Sequence, residues 1–336
     1  MVGQRASLSI RPGAATPWFV TAKHAGAFSY PWNIKATQGH QQLLISKAPL
    51  LFANFPIFFS HSFSNLHSLP SALCPSALLP PPPPPMSRIV AIIPARFGST
   101  RFPGKPLHLI AGQSLIERTW RRCLACRMLS RVLIATDDER IMQAAADFGA
   151  EAVLTSPDHP SGTDRLAEAA VCDPEATHFI NVQGDEPLIS PVLIDELATR
   201  LASDPAIRII TAVHPLPDAA LQDDPNIVKA VLDSQGRALY FSRSPLPYMR
   251  NPQAQHHGYR HMGIYGYSRA FLNQFVSWPP SLLELTEGLE QLRALENGAS
   301  IHCVITQHDS PGIDTLIQAE TMESELLAAE TAIQSH

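Results

Sequence analysis

The chain has 336 residues, 45% hydrophobic and 16% charged, with a formal net charge of −5, a length that allows one large domain or two small ones. Residues 1–85 hold no Asp or Glu and five basic residues (Arg5, Arg11, Lys23, Lys35, Lys47), which leaves 20 basic against 30 acidic residues from position 86 onward, a net of −10. A net-acidic globular part excludes nucleic-acid binding through a broad basic face, and five cysteines in a chain this long make no disulfide framework.

Taken in order, residues 1–85 are rich in Ser, Pro, His and Phe and end in six consecutive prolines at 80–85, a run that fits neither a helix nor an inner strand. Three readings of this segment compete: a transit-type leader, a membrane anchor, or an over-extended frame with the true start at Met86. The apolar run 48–59 is too short to span a bilayer and contains proline, so the third reading is favoured, the leader second. The segment is expected to have low order and to lie outside the working domain, 86–336.

After Met86 the pattern changes. Arg88-Ile-Val-Ala-Ile-Ile93 is a short apolar run ending at Pro94, a buried parallel-type strand. A helix is expected over 114–127, with Ser114 and Glu117 forming a capping box. Strand 131–136, helix 138–148 ended by Gly149, strand 177–182, helix 191–203 and strand 207–213 follow. This alternation predicts an α/β fold, three layers doubly wound around a mostly parallel sheet. A hairpin around Asp233-Ser-Gln-Gly236 joins 227–232 to 237–241, and strands at 262–267 and 301–306 close the chain. Residues of about 225–268 are expected to form a smaller inserted subdomain. Cys123-Leu-Ala-Cys126 has redox or zinc spacing, but no second pair completes a metal set, and the two read as packed helix cysteines.

Ligands of such sheets bind beyond the carboxyl ends of the strands, which directs attention to the loops 94–106, 137–138 and 183–187. The first, Pro94-Ala-Arg-Phe-Gly-Ser-Thr-Arg-Phe-Pro-Gly-Lys105, sets three cations (Arg96, Arg101, Lys105) and small residues at one strand end. That composition suits a triphosphate, whose charge it would neutralise as pyrophosphate leaves; a solvated basic loop is the plainer alternative. It is neither GxGxxG nor a Walker loop, which argues against a dinucleotide oxidoreductase.

The same loop resembles the signature of the 3-deoxy-manno-octulosonate (Kdo) cytidylyltransferase family. Further matches follow in order: Ala135-Thr-Asp-Asp138, Ser161-Gly-Thr-Asp-Arg165, Asn181-Val-Gln-Gly-Asp-Glu-Pro187, Tyr240-Phe-Ser-Arg243, Arg260-His-Met-Gly-Ile-Tyr265, Leu289-Glu-Gln-Leu-Arg293 and Gly312-Ile-Asp-Thr315. The resemblance implies a nucleotide-diphospho-sugar transferase fold. It also implies attack of the anomeric hydroxyl of Kdo on the α-phosphorus of CTP, giving CMP-Kdo for lipopolysaccharide and pyrophosphate. A cytoplasmic homodimer that uses Mg²⁺, without stable membrane insertion or nucleic acid, goes with it.

Carried over position by position, the resemblance makes Arg96, Arg101, Lys105 and Asp185 catalytic. Ala95, Arg96, Ser99, Lys105, Ser161, Gly162, Thr163, Arg165 and Gln183 would hold CTP, with Arg165 and backbone groups reading the base. Gln183, Arg243, His261, Tyr265, Glu290 and Gln291 would hold the sugar, and Asp185 with Asp314 the metal. Helix capping is the plainer role for both aspartates, and an ordinary strand or helix-face position for His261, Glu290 and Gln291. The family usually has Glu where Asp164 stands, and the chain between Arg243 and Arg260 is shorter than in some relatives. No dedicated general base is evident. An amino-Kdo acceptor is the alternative substrate; the sialic-acid relatives have a different loop, and intact Lys105, Asp185 and Asp314 speak against a non-catalytic binding protein.

Overall fold

A computed structural model describes residues 8–10, 20–22, 33–36, 43–46, 87–98, 102–216, 219–251, 253 and 258–334. The chain divides into two compact units, Met1–Pro80 and Pro81–His336. In the first, β1 (Leu8–Ile10) pairs antiparallel with β2 (Val20–Ala22), and β3 (Asn33–Ala36) with β4 (Leu43–Ser46). The rest of 1–86, to which the expectation of low order mainly applied, lies outside the described residues.

The second unit is built on one nine-stranded sheet. Its parallel part runs from the edge strand β9 (Glu151–Leu154) through β8 (Arg131–Thr136) and β5 (Ile89–Ala95) to β10 (His178–Asn181). Next to β10 lies β14 (Tyr259–Ser268), antiparallel, which also pairs with β11 (Ile209–Pro215); β11 in turn runs parallel to β15 (Ile301–Ile305). The hairpin β12 (Lys229–Leu232) and β13 (Ala238–Ser242) adds to the early half of β14. The segment around 225–268 therefore extends the main sheet.

β14 changes partner along its length. Residues 265–268 pair with β10, and 259–260 with β12. Against β11 the register jumps, Thr211 facing Tyr265 but Ala212 facing Met262, so Gly263 and Ile264 are the surplus residues of a bulge.

The alternation of side chains along each strand sends successive residues to opposite faces. Val90 and Ile92 face one core with Leu166, Phe271, Phe275 and Leu292; Ile89, Ala91 and Ile93 face another with Ile116, Trp120, Ile141, Leu193 and Leu197. The first face is covered by α3 (Gly162–Ala169), α5 (Arg269–Ser277) and α7 (Gln291–Glu296). The second is covered by α1 (Leu115–Leu124), α2 (Glu139–Asp147) and α4 (Pro191–Ser203). Three layers result, as expected. The short α6 (Leu282–Glu287) precedes α7, and α8 (Leu316–Gln334) ends the described chain. A third, small core of Phe102, Ile110, Leu115, Ile313, Ala319 and Met322 ties the first loop to α8.

Local signals formed with one exception. Ser114 caps α1 by accepting from the Glu117 amide, but the Glu117 carboxylate accepts from Arg121 Nε at 2.9 Å where a capping box would turn it back. Cys123 is buried and Cys126 half-buried; burial pushes both thiols up, Cys126 to about 12, and the described residues hold no group of three metal ligands. Among them, no helix is long and apolar enough to cross a membrane.

Candidate active site

Because β5, β8 and β10 are parallel neighbours, the loops that follow them open on one edge of the sheet. The loop after β5 ends at Gly104, followed by a 3₁₀ turn over Lys105–Leu107, and Lys105 reaches across to two other loops. Its Nζ donates to Asp185 Oδ2 at 2.7 Å and Asp314 Oδ1 at 3.3 Å, with side-chain exposures of 14, 31 and 50%. Three residues spread over 209 positions thus converge on one ammonium. The Ile313 amide donates to the Asp185 carbonyl at 2.9 Å, which pins the loop before α8 against the loop after β10.

The cap positions beside the two aspartates are filled by other residues. Thr315 Oγ1 accepts the Gln318 amide at the start of α8, and α4 begins at Pro191 after Ser190. Two carboxylates held on a single cation form a hard-oxygen pair, and this donor set suits Mg²⁺ when phosphate oxygens and water fill its remaining positions.

Arg96 donates to the His159 carbonyl at 2.5 Å, which ties the first loop to the turn before α3. That helix starts close under β5: a Cβ on Gly162 would lie 3.5 Å from Pro94 Cγ. Ala95 is buried at the end of β5. Ser99 and Arg101 fall outside the described residues.

Arg165 departs from the expectation that it reads the base. Its side chain is fully buried, donates to Asp137 Oδ2 at 2.7 Å and to Thr155 Oγ1, and keeps Nε enclosed without a partner. Burial pulls its pKa down, while Asp137 opposes that. Arg165 therefore fastens α3 to the ends of β8 and β9.

Glu290 also differs from its expected role on the sugar. Thr163 Oγ1 donates to Glu290 Oε2 at 2.7 Å, and Ser161 Oγ lies 2.6 Å from both Glu290 Oε1 and Asp164 Oδ2. One hydroxyl has one proton, so the trio is satisfied when Glu290 keeps its own; burial raises its pKa in that direction against the two hydroxyl contacts. Glu290 thereby joins the start of α3 to the start of α7. Its neighbour Gln291 is buried, and its Nε2 has no hydrogen-bond partner.

The remaining sugar-side positions sit on and around β14. Thr211 Oγ1 donates to the Ile264 carbonyl at 2.7 Å and so accepts from His261 Nε2 at 3.1 Å, which leaves His261 Nδ1 as an acceptor. Burial holds this imidazole neutral, its pKa lowered to about 3. Tyr265 lies 5.4 Å from it, ring to ring, and Phe241 packs edge-on at 5.0 Å. Gln183 approaches the bulge: a Cβ on Gly263 would meet Gln183 Cγ at 3.6 Å and Glu186 Oε1 at 3.4 Å. Arg243 differs from the free carboxylate partner expected of it, because its guanidinium donates to the carbonyls of Glu287 (2.8 Å) and Pro225 (2.9 Å) and its amide to Glu287 Oε2 (3.0 Å).

Two groups escaped the sequence reading although both stand in quoted motifs. Asp137 is the partner of Arg165. Glu186, next to Asp185, is buried and pushed up to about 8 by desolvation and by the Asp185 charge.

A family model described as cytidylyltransferase matches residues 90–301. The 3-deoxy-manno-octulosonate cytidylyltransferase of Geobacter sulfurreducens is 50% identical over 239 residues, which are 68% of this chain and 94% of that protein. The enzyme of the same name from Pseudomonas syringae pv. syringae is 49% identical over 67% and 92%. Among solved structures, a CMP:2-keto-3-deoxy-manno-octonic acid synthetase complexed with CTP aligns at a TM-score of 0.69 and 41% identity, over 73% of this chain and all of that one.

Proposed function

The chain belongs to the 3-deoxy-manno-octulosonate cytidylyltransferase family, and on that footing we propose that it transfers CMP from CTP to the anomeric hydroxyl of Kdo, releasing pyrophosphate. The observation that carries this reading is the convergence of Lys105, Asp185 and Asp314 at the carboxyl edge of the parallel strands, in a family whose solved member holds CTP.

In this reading the first loop and Lys105 take the triphosphate, Arg96 and Arg101 add charge neutralisation, and backbone groups of 161–163 take the cytosine. Arg165 positions that segment through Asp137. Gln183, His261, Tyr265 and Gln291 face the sugar; His261 Nδ1 accepts from a hydroxyl, and the Gln291 amide donates to an oxygen. Arg243 stands at the turn between α6 and α7, where a sugar carboxylate would draw its guanidinium from the carbonyls that now hold it. Asp185 and Asp314 would hold Mg²⁺, which supplies Lewis-acid neutralisation of phosphate oxygens. With no evident general base, orientation of the two substrates and electrostatic preorganisation supply the acceleration. A cytoplasmic enzyme making CMP-Kdo for lipopolysaccharide is the setting this chemistry fits. A homodimer agrees with β13 being an edge strand that exposes Leu239.

The test is pyrophosphate release from CTP and Mg²⁺ with Kdo, 8-amino-Kdo and sialic acid side by side. Release with Kdo is expected; release only with 8-amino-Kdo would move the substrate, and no release with any would sink the reading.

A further inference from the structure

The two acids of Ala135-Thr-Asp-Asp138 do different things. Asp137 engages Arg165. Asp138 caps α2 and grips Arg140, with Nε to Oδ1 at 2.9 Å and Nη2 to Oδ2 at 2.6 Å. Held this way, the Arg140 guanidinium lies over the ring of Phe97, its Cζ 3.3 Å from the ring centroid.

Phe97 belongs to the first loop and closes it. Its carbonyl accepts the Gly104 amide at 3.0 Å. Gly104 has φ +70°, and a Cβ there would lie 3.2 Å from Phe97 Cζ and 3.3 Å from Cε2, so only glycine lets the backbone settle against the tip of that ring. The next residue is Lys105. A continuous line of contacts thus runs from Asp138 through Arg140, Phe97 and Gly104 to the ammonium that Asp185 and Asp314 bracket.

We infer that Arg140 and Phe97 are positioning residues for Lys105, forming a clasp that fixes both ends of the loop, 97 and 104, before the nucleotide arrives. Ordering a loop on binding costs entropy, and a clasp made beforehand removes that cost from the binding step. A guanidinium suits the task because it stacks its plane on the aromatic face, which an ammonium cannot do. Arg140 is an exposed side chain, 61% accessible, so its removal leaves no cavity to confuse the result.

This inference rests on reading the loop as the triphosphate cradle, and the experiment separates the two. Hydrogen exchange at the amides of Gly104 and Lys105 is measured in the unliganded chain. Dissociation constants for CTP and Michaelis constants for Kdo are measured for wild type, R140A, R140K, F97L and R140A/F97L. R140A is expected to speed exchange at least about fivefold and to raise the CTP dissociation constant about fivefold to tenfold, with the Kdo constant within about twofold. R140K gives the same signs at smaller size and replaces R140A if that variant does not fold. The double variant is no worse than F97L alone within about twofold, because both remove one contact. Unchanged exchange in R140A, or single effects that multiply in the double variant, overturns the clasp. A wild type that binds no CTP sinks the proposed function instead, and exchange alone then decides on the clasp.

Discussion

At the edge formed by β5, β8 and β10, the groups proposed for the nucleotide arrive on loops after strands, partly exposed and paired across the sheet as charges: Lys105 with Asp185 and Asp314. Around β14 they arrive on a strand and on the turn into α7, packed among rings and backbone carbonyls: His261 on Thr211, Arg243 on Glu287 and Pro225, Gln291 enclosed. One half is governed by charge and the other by shape and hydrogen bonding. Perturbations of charge should therefore act on the nucleotide side, and loss of a single donor on the sugar side.

The largest effect tests the charged half. Asp185→Asn removes one of the carboxylates that bracket Lys105, and turnover should fall by roughly a thousandfold while circular dichroism stays that of the wild type. Turnover within tenfold of wild type would remove Asp185 from the chemistry. Arg165→Met leaves Asp137 without its buried partner and should destabilise the fold by about 3 kcal/mol in urea unfolding. Adding Asp137→Asn should restore part of that loss. A single-variant cost below about 1 kcal/mol would mean that the pair does not hold α3 in place.

On the sugar side, Gln291→Ala should raise the Michaelis constant for Kdo about tenfold and leave that for CTP within about twofold. Equal rises in both would break the division between the halves. The smallest effect is in pH. Folding keeps His261 neutral down to about 3, whereas the unfolded chain protonates it near 6.5. Its stability contribution is therefore complete above about 6.5 and is lost as pH falls toward 3, at no more than about 1.4 kcal/mol per pH unit. Between pH 7 and 5, His261→Gln should flatten the slope of unfolding free energy against pH relative to wild type; identical slopes would contradict a neutral buried imidazole.

The same contrast explains what the sequence could reveal. β5 and β8 were readable because each is buried on both faces and carries a long apolar run, and α4 because Pro191 opens it. β9 was missed: it is a four-residue edge strand whose apolar run, Ala-Val-Leu, is too short to announce a strand. The loop cations could be read from position, since a strand end fixes where they lie. Pairing Asp185 with Asp314 needed the family pattern, and the contact of Lys105 with both was not foreseen, because no local spacing links residues 80 and 209 positions apart.

Arg165 was misplaced for a related reason. An arginine in the first turns of a helix reads as facing solvent or ligand; Asp137, 28 positions earlier, and Thr155, 10 positions earlier, hold it inward. Glu290 lies 127 and 129 positions from the hydroxyls it meets, and nothing in its own helix announces them.

The change of partner along β14 sets a rule for retargeting this scaffold to other acid sugars. Before the bulge, Tyr259 and Arg260 pair with β12 on one side and β11 on the other, and Arg260 is tied to Asp309. In the proposed reading, a library confined to His261 and the turn at 287–290 is therefore the one that explores acceptors. Past the bulge that freedom ends. A methyl group on Gly266 would meet Ile210 Cγ2 at 2.8 Å, Leu201 Cδ2 at 3.0 Å and Ile180 Cδ1 at 3.1 Å, so variants there would be lost to misfolding before selection could score them.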